Sequence, residues 1–238
     1  MKIVKLMLLL GIALYASHDR RLETRQLLIV TAQNWSISHA TLQRYHYTHG
    51  AWKRVGHPLT VQIGRNGLGW GRGLHPTPHD SHPIKHEGDG KAPAGIFQLN
   101  EAFGYAPYTI AYPYRVYRAS DHCVDDIHSP YYNKIIDSTT TPKHYTSYER
   151  MRFAKDYYQY GLVVNHNGIR QGESPLKGAG SCIFIHIKPT PTAGCTAMGK
   201  QEMKQLLRWL DPHANPLLIQ GVQSDIPQLL KQIIPHQK

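Results

Sequence analysis

Two side chains in the stretch Gly178–Met198, Cys195 and His186, are spaced for covalent chemistry. A thiol is a weak nucleophile until it loses its proton, and an imidazole within reach can take that proton and later return it to a leaving amine. Residues 181–187, Ser-Cys-Ile-Phe-Ile-His-Ile, are apolar and β-branched, the composition of a buried strand. Alternation along that strand puts Cys182, Phe184 and His186 on one face. Pro189 and Pro191 stop the strand, and the short loop to Cys195 turns back toward His186. Gly194 permits a tight turn, so that the backbone N–H groups of Gly194 and Cys195 face a developing oxyanion. A thiolate held by the imidazole would be alkylated well below the usual thiol pKa of about 8.5. The competing reading is a buried thiol and a core-edge imidazole that never meet.

Other candidates are weaker. His166, on a strand over residues 160–167, is a rival base, but it lacks the local link that His186 has to Cys195. Asp125 and Asp126 are paired acids that suit a turn better than acid–base chemistry. His75, His79, His82 and His86 are close enough in sequence to suggest a metal, but Pro76, Pro78 and Pro83 forbid the helix that would align them. A solvated loop is the expectation there, with no metal. Cys182 either lines the site, pairs with Cys123 in an oxidising compartment, or packs with it as a small buried hydrophobe; the last is preferred. Trp70, in the glycine-rich run 64–73, is a candidate wall of the groove together with Thr192 and Cys182. That run lacks the strand–glycine–Lys–Ser/Thr order of a phosphate loop.

The chain has 238 residues, enough to bury one sizeable core. Frequent Tyr, Gly and Pro and few long helical patterns indicate a β-rich single domain. Strands are expected over residues 27–32, 36–47, 51–63 (turned at Gly56-His57-Pro58), 91–99 and 216–221. Helices are expected over residues 145–158, from Gly199 to Leu210, and in a tail over 224–234. Residues 1–17 read as a secretory signal: Lys2 and Lys5, then an apolar run too short to span a bilayer comfortably, with an uncleaved anchor as the alternative. The net charge of +11 comes from scattered rather than clustered cations. This excludes a nucleic-acid stripe and suits an acidic envelope.

Thr192-Ala193-Gly194-Cys195 with His186 upstream resembles the active-site signature of the L,D-transpeptidases, the YkuD-type catalytic domain. That family's pattern is His, a spacer, then Ser/Thr-His-Gly-Cys-hydrophobic-Asn or a Cys-hydrophobic-Arg variant. Here Ala193 replaces the middle His, Ala197 stands where Asn or Arg is usual, and the spacer is shorter. Residues 88–97, Gly-Asp-Gly-Lys-Ala-Pro-Ala-Gly-Ile-Phe, are similar to the family's Thr-Pro-x-Gly-x-Phe strand. The runs 66–71, 124–126 with Tyr132-Asn133, and 180–184 resemble an uncharacterised bacterial branch. The likeness spans roughly residues 27–221, with residues 222–238 left as the tail. It implies a mainly β fold, a sandwich of mixed sheets with a few packed helices. It implies acyl transfer on peptidoglycan peptide stems in the periplasm or envelope, without metal or organic cofactor. Cys195 attacks the diaminopimelate carbonyl of a tetrapeptide stem, His186 shuttles the proton, and an amine of a second stem accepts the acyl group in a 3→3 cross-link. The alternatives are water as acceptor, which makes an L,D-carboxypeptidase, and a wall-binding module with an inert Cys195.

Overall fold

A computed structural model describes residues 22–76, 83–170 and 172–235. The leader read over residues 1–17, and His79 and His82 of the histidine run, lie outside them.

The chain runs β1 (Leu22–Thr24), β2 (Gln26–Ala32), β3 (His39–Thr48), β4 (Ala51–Gln62), β5 (Leu68–Trp70), β6 (Ala92–Gly104) and β7 (Tyr114–Val116). Then follow β8 (Asp121–Cys123), β9 (Ile135–Asp137), β10 (Glu149–Arg150), β11 (Tyr160–Val164), β12 (Phe184–Ile187) and β13 (Thr196–Met198). Helix α1 (Lys200–Trp209), β14 (Leu217–Val222), α2 (Ile226–Leu230) and β15 (Ile233–Pro235) complete it. The fold is mainly β, with parallel and antiparallel pairs mixed as expected.

The long strand β6 organises the ladder. Gly95–Gln98 pair antiparallel with β14, and the following residues to Gly104 pair with β11. From β11 the ladder continues through β12, β13, β4, β3, β2 and back to β14, so it closes on itself around one core. Leu28, Val30, Leu42, Val61, Ile96, Phe97, Leu162, Ile185 and Leu218 fill that core, with Met203, Leu206 and Leu207 of α1. The period of about 3.6 that marks α1 is the spacing of those three buried side chains.

The turn expected at Gly56-His57-Pro58 is not where the chain reverses. The β3–β4 hairpin reverses at His49-Gly50, where both residues have positive φ, 52° and 77°. This is the two-residue turn whose twist matches the strands. Gly56-His57-Pro58 is instead a bulge inside β4. Val55 faces Arg44 and Leu59 faces Leu42, so these three residues oppose Gln43 alone, and Pro58, which lacks an N–H, is tolerated there. In the tail, α2 covers only Ile226–Leu230, and β15 pairs parallel with β1.

Between β6 and β11 the chain makes an excursion that carries a small sheet, β10-β8-β9. The helix expected over residues 145–158 is absent. Glu149 and Arg150 pair with Cys123 and His122, and only Asp156–Tyr158 forms a 3₁₀ turn. Its aromatic side chains find partners off any helix face: Tyr148 stacks on His122 at 3.8 Å, and Tyr158 packs edge-on against Phe103 and Phe184. Tertiary burial of aromatics outweighs the weak helical pattern. A disulfide joins Cys123 of β8 to Cys182, with Cα atoms 5.9 Å apart. This corrects the preference for two unpaired small hydrophobes. It staples the excursion to the segment that enters β12.

Candidate active site

Strand β12 runs parallel to β13, with Ile185 opposite Thr196 and His186 opposite Ala197. Extending the register places Phe184 beside Cys195, and the Phe184 N–H points at Cys195 Sγ at 3.3 Å. His186 lies two residues further along β12 on the same face, roughly 6–7 Å at strand spacing. Both side chains are buried, and both line one cavity of about 290 Å³. Thr192, Ala193, Gly194, Cys182, Tyr158 and Glu149 share its wall.

The turn before the thiol is clamped by Thr192. Its hydroxyl donates to the Cys195 carbonyl at 2.6 Å and accepts from the Gly194 N–H at 3.1 Å. The Thr192 N–H is in turn held by Ile63 O, and Thr192 O accepts from Arg65 N–H. Thr192 therefore acts first as a structural clamp. The Gly194 N–H, expected to face an oxyanion, is already engaged. The Cys195 N–H has no hydrogen-bond partner among the described residues.

The strand read over residues 181–187 begins only at Phe184. Cys182 has φ 55°, in the left-handed region that few non-glycine residues adopt. That twist ends the alternation which placed Cys182 and His186 on one strand face. Cys182 still borders the cavity. Its N–H donates to Asn133 Oδ1 at 2.9 Å, and its carbonyl accepts the Cys195 thiol at 3.5 Å.

The protonation states also differ from expectation. No hydrogen bond joins Cys195 to His186. The thiol's partners are Cys182 O and Phe184 N–H; His186 Nδ1 sits 3.1 Å from Ile187 O. A carbonyl only accepts, so a neutral ring that donates to Ile187 O carries its proton on Nδ1 and keeps Nε2 basic, and a backbone hydrogen bond to Tyr157 also bears on the ring. Burial pushes the thiol from 9.0 to about 12, with the charge of Glu149 adding to it. Burial likewise pulls the imidazole from 6.5 down to about 4. The resting pair is thus neutral thiol and neutral imidazole, not the expected thiolate–imidazolium.

Glu149 was not among the candidate residues. Its carboxylate accepts from Tyr158 OH, and the Tyr158 ring packs edge-on against His186, with centroids 4.9 Å apart. Burial raises Glu149 to about 7. The pairing of β10 with β8, which creates this contact, has no local signature. Lys85 was missed too, although it borders the Glu-Gly-Asp run whose charges flank a turn. It is buried on the cavity wall, bonded to His86 O at 2.7 Å and to Asp89 Oδ1 at 2.6 Å.

The remaining candidates fall elsewhere. Trp70 does not line the cavity. It is buried against Trp35 and His75, with ring centroids 5.4 and 5.5 Å away. His166 lies off the cavity. Its Nδ1 accepts from the Arg72 N–H, its Nε2 meets Ala179 O, and burial lowers it to about 3. Asp126 takes the N–H groups of His128 and Thr146, the turn role expected of it, while Asp125 borders the cavity. His75 is buried, with Nδ1 taken by the Ile96 N–H, whereas His86 is exposed. Among the described residues no group of three or more His, Cys, Asp or Glu is placed to hold a metal ion.

Residues 35–219 match the L,D-transpeptidase catalytic domain, the YkuD family. The chain belongs to this family. A comparison with curated protein sequences finds no match. Among solved structures, the helical cell shape determining protein Pgp2 from Campylobacter jejuni is similar at 13% identity and a TM-score of 0.41, covering 86% of this chain and 51% of that one. Bd1075 from Bdellovibrio bacteriovorus is similar at 12% identity and a TM-score of 0.37, covering 84% of this chain and 51% of that one. The chain thus spans about half the length of the solved structures it matches. In this L,D-transpeptidase-family domain, no helix among the described residues is long and apolar enough to cross a membrane.

Proposed function

We propose that the protein transfers an acyl group between peptidoglycan peptide stems, forming 3→3 cross-links through a thioester on Cys195. One observation carries the reading: the single free thiol among three cysteines shares a cavity with His186 on the neighbouring parallel strand. His186 Nε2 takes the thiol proton as Sγ attacks the carbonyl of the diaminopimelate residue. The oxyanion forms against the Cys195 N–H. The proton then passes to the departing D-alanine amine, and the thioester is left. An amine of a second stem attacks that thioester, gives its proton to His186, and restores the thiol. This chemistry calls for a protein that works in the cell envelope, where peptidoglycan lies.

Hydrolysis is the second reading, favoured by the size of the cavity. Its 290 Å³ lies at the lower end of ligand sites, which run from about 300 to 1,000 Å³. The cavity accommodates one stem end, so a second stem has to approach from outside, whereas water needs no added room. Tetrapeptide muropeptides incubated with wild type and with Cys195→Ala separate the outcomes by mass spectrometry. Cys195-dependent dimers with release of D-alanine support transpeptidation. Tripeptides without dimers support the carboxypeptidase. Unchanged muropeptides refute both.

A further inference from the structure

The cavity wall carries three cations that differ in burial. Arg65 is exposed and Lys188 half-buried, but only 3% of the Lys85 side chain is accessible. An ammonium has three donors. Among the described residues, Lys85 Nζ uses one on His86 O and one on Asp89 Oδ1. Asp89 is itself fixed by the His86 and Lys91 N–H groups, so the ion pair is locked in place. The lysine stem occupies space that only glycine leaves: a Cβ on Gly180 would come within 3.0 Å of Lys85 Cε. The same Cε lies 3.8 Å from where a Cβ of Gly194 would stand, beside the residue that precedes the nucleophile. Asp89 offsets the Lys85 charge, and the third donor is left for a further acceptor. Glu87, Asp125 and Glu149 also border the cavity, so an incoming carboxylate is favoured only against a cation.

We infer that Lys85 is a specificity residue that binds the terminal carboxylate of the donor stem, so that the enzyme acts on stems ending one residue beyond the attacked carbonyl. The inference rests on the acyl-transfer reading. In a tetrapeptide stem the terminal carboxylate belongs to the departing D-alanine and lies next to the scissile amide. A cation close to Gly194 can therefore hold it while Cys195 attacks. A longer stem has a neutral amide at that point, whose carbonyl accepts a hydrogen bond without the charge assistance of a carboxylate.

The test uses the full chain carrying Cys195→Ala, titrated calorimetrically with a tetrapeptide stem bearing either a free C-terminus or a C-terminal carboxamide. A charge-assisted hydrogen bond predicts that the acid binds about 10- to 100-fold tighter than the amide. Adding Lys85→Met is expected to bring the acid down to the level of the amide and to weaken the amide far less than the acid. Equal affinities in the Lys85 protein overturn the inference, however well the Lys85→Met chain folds. Equal loss of both peptides in Lys85→Met also overturns it, and assigns Lys85 to the oxyanion or to the fold. A wild type that cleaves acid and amide equally well sinks the inference and leaves acyl transfer standing. A wild type that binds and cleaves neither sinks acyl transfer, and the inference with it.

Discussion

Glu149→Gln should make Cys195 easier to alkylate, and only above neutral pH. Burial holds the thiol at about 12 rather than 9.0, and the Glu149 charge is the second cause. A rise from 9.0 to about 12 cuts the thiolate fraction at pH 8 by about a thousandfold. Iodoacetamide labelling of the native protein should therefore run far below that of the urea-unfolded chain at the same pH, and climb tenfold per pH unit to about pH 10. The assay is clean because Cys123 and Cys182 are bridged, so Cys195 is the free thiol. Glu149 stays protonated until about pH 7. Below that it is neutral and the substitution should change nothing; above it, removing the charge should speed labelling by about three- to tenfold. Intact-mass spectrometry over a pH series reads both effects. A labelling rate that levels off below pH 8 would refute the neutral pair and restore the thiolate–imidazolium. A Glu149→Gln effect that is equal at pH 5 and pH 8 would refute the electrostatic link.

Thr192→Val should destabilise the fold by about 2–4 kcal/mol, because it strands the Cys195 carbonyl and the Gly194 N–H in a buried turn. Urea unfolding measures it, and Thr192→Ser should recover most of the loss. Reducing the disulfide, whose cysteines are 59 residues apart, should cost about 4 kcal/mol by chain entropy. Unfolding with and without dithiothreitol reads this, and equal midpoints would contradict it. Thermal stability should fall as pH drops from 6.5 to 4. His75, His166 and His186 are held neutral in the fold, at about 4, 3 and 4 against 6.5, so the unfolded chain binds more protons in that window. Glu149, raised from 4.5 to about 7, acts oppositely and offsets part of the loss. A calorimetric melting temperature that stays flat from pH 7 to 4 would count against buried neutral histidines.

Legibility in the sequence followed the range of the interactions. Cys195 and His186 could be paired because a short loop joins two adjacent parallel strands, and the α1 stripe of Met203, Leu206 and Leu207 needed only its own period. Cys182 was misplaced because alternation holds only where φ stays extended, and a φ of 55° two residues before β12 turns the chain off that pattern. Trp70 was misread for a related reason. A large ring bordered by glycines fits a groove wall and a core equally well until its neighbours, here Trp35 and His75, are known.

The chemistry that was least visible is that which crosses the fold. Lys85, Glu149 and Cys195 lie far apart in the chain, yet they border one cavity. Their opposing charges act on the same thiol, Glu149 raising it and Lys85 lowering it. A substrate that places a carboxylate on Lys85 removes the ion that favours the thiolate. In the acyl-transfer reading the thiol then gives its proton to His186 as the sulfur attacks, once the gap between their strand positions closes or a water bridges it, since a free thiolate in that setting is disfavoured still further. The buried, neutral resting pair is therefore compatible with catalysis only if proton transfer and carbon–sulfur bond formation are coupled. Solvent isotope effects on acylation by wild type should then be normal and lie in kcat, whereas a preformed thiolate would leave them near one.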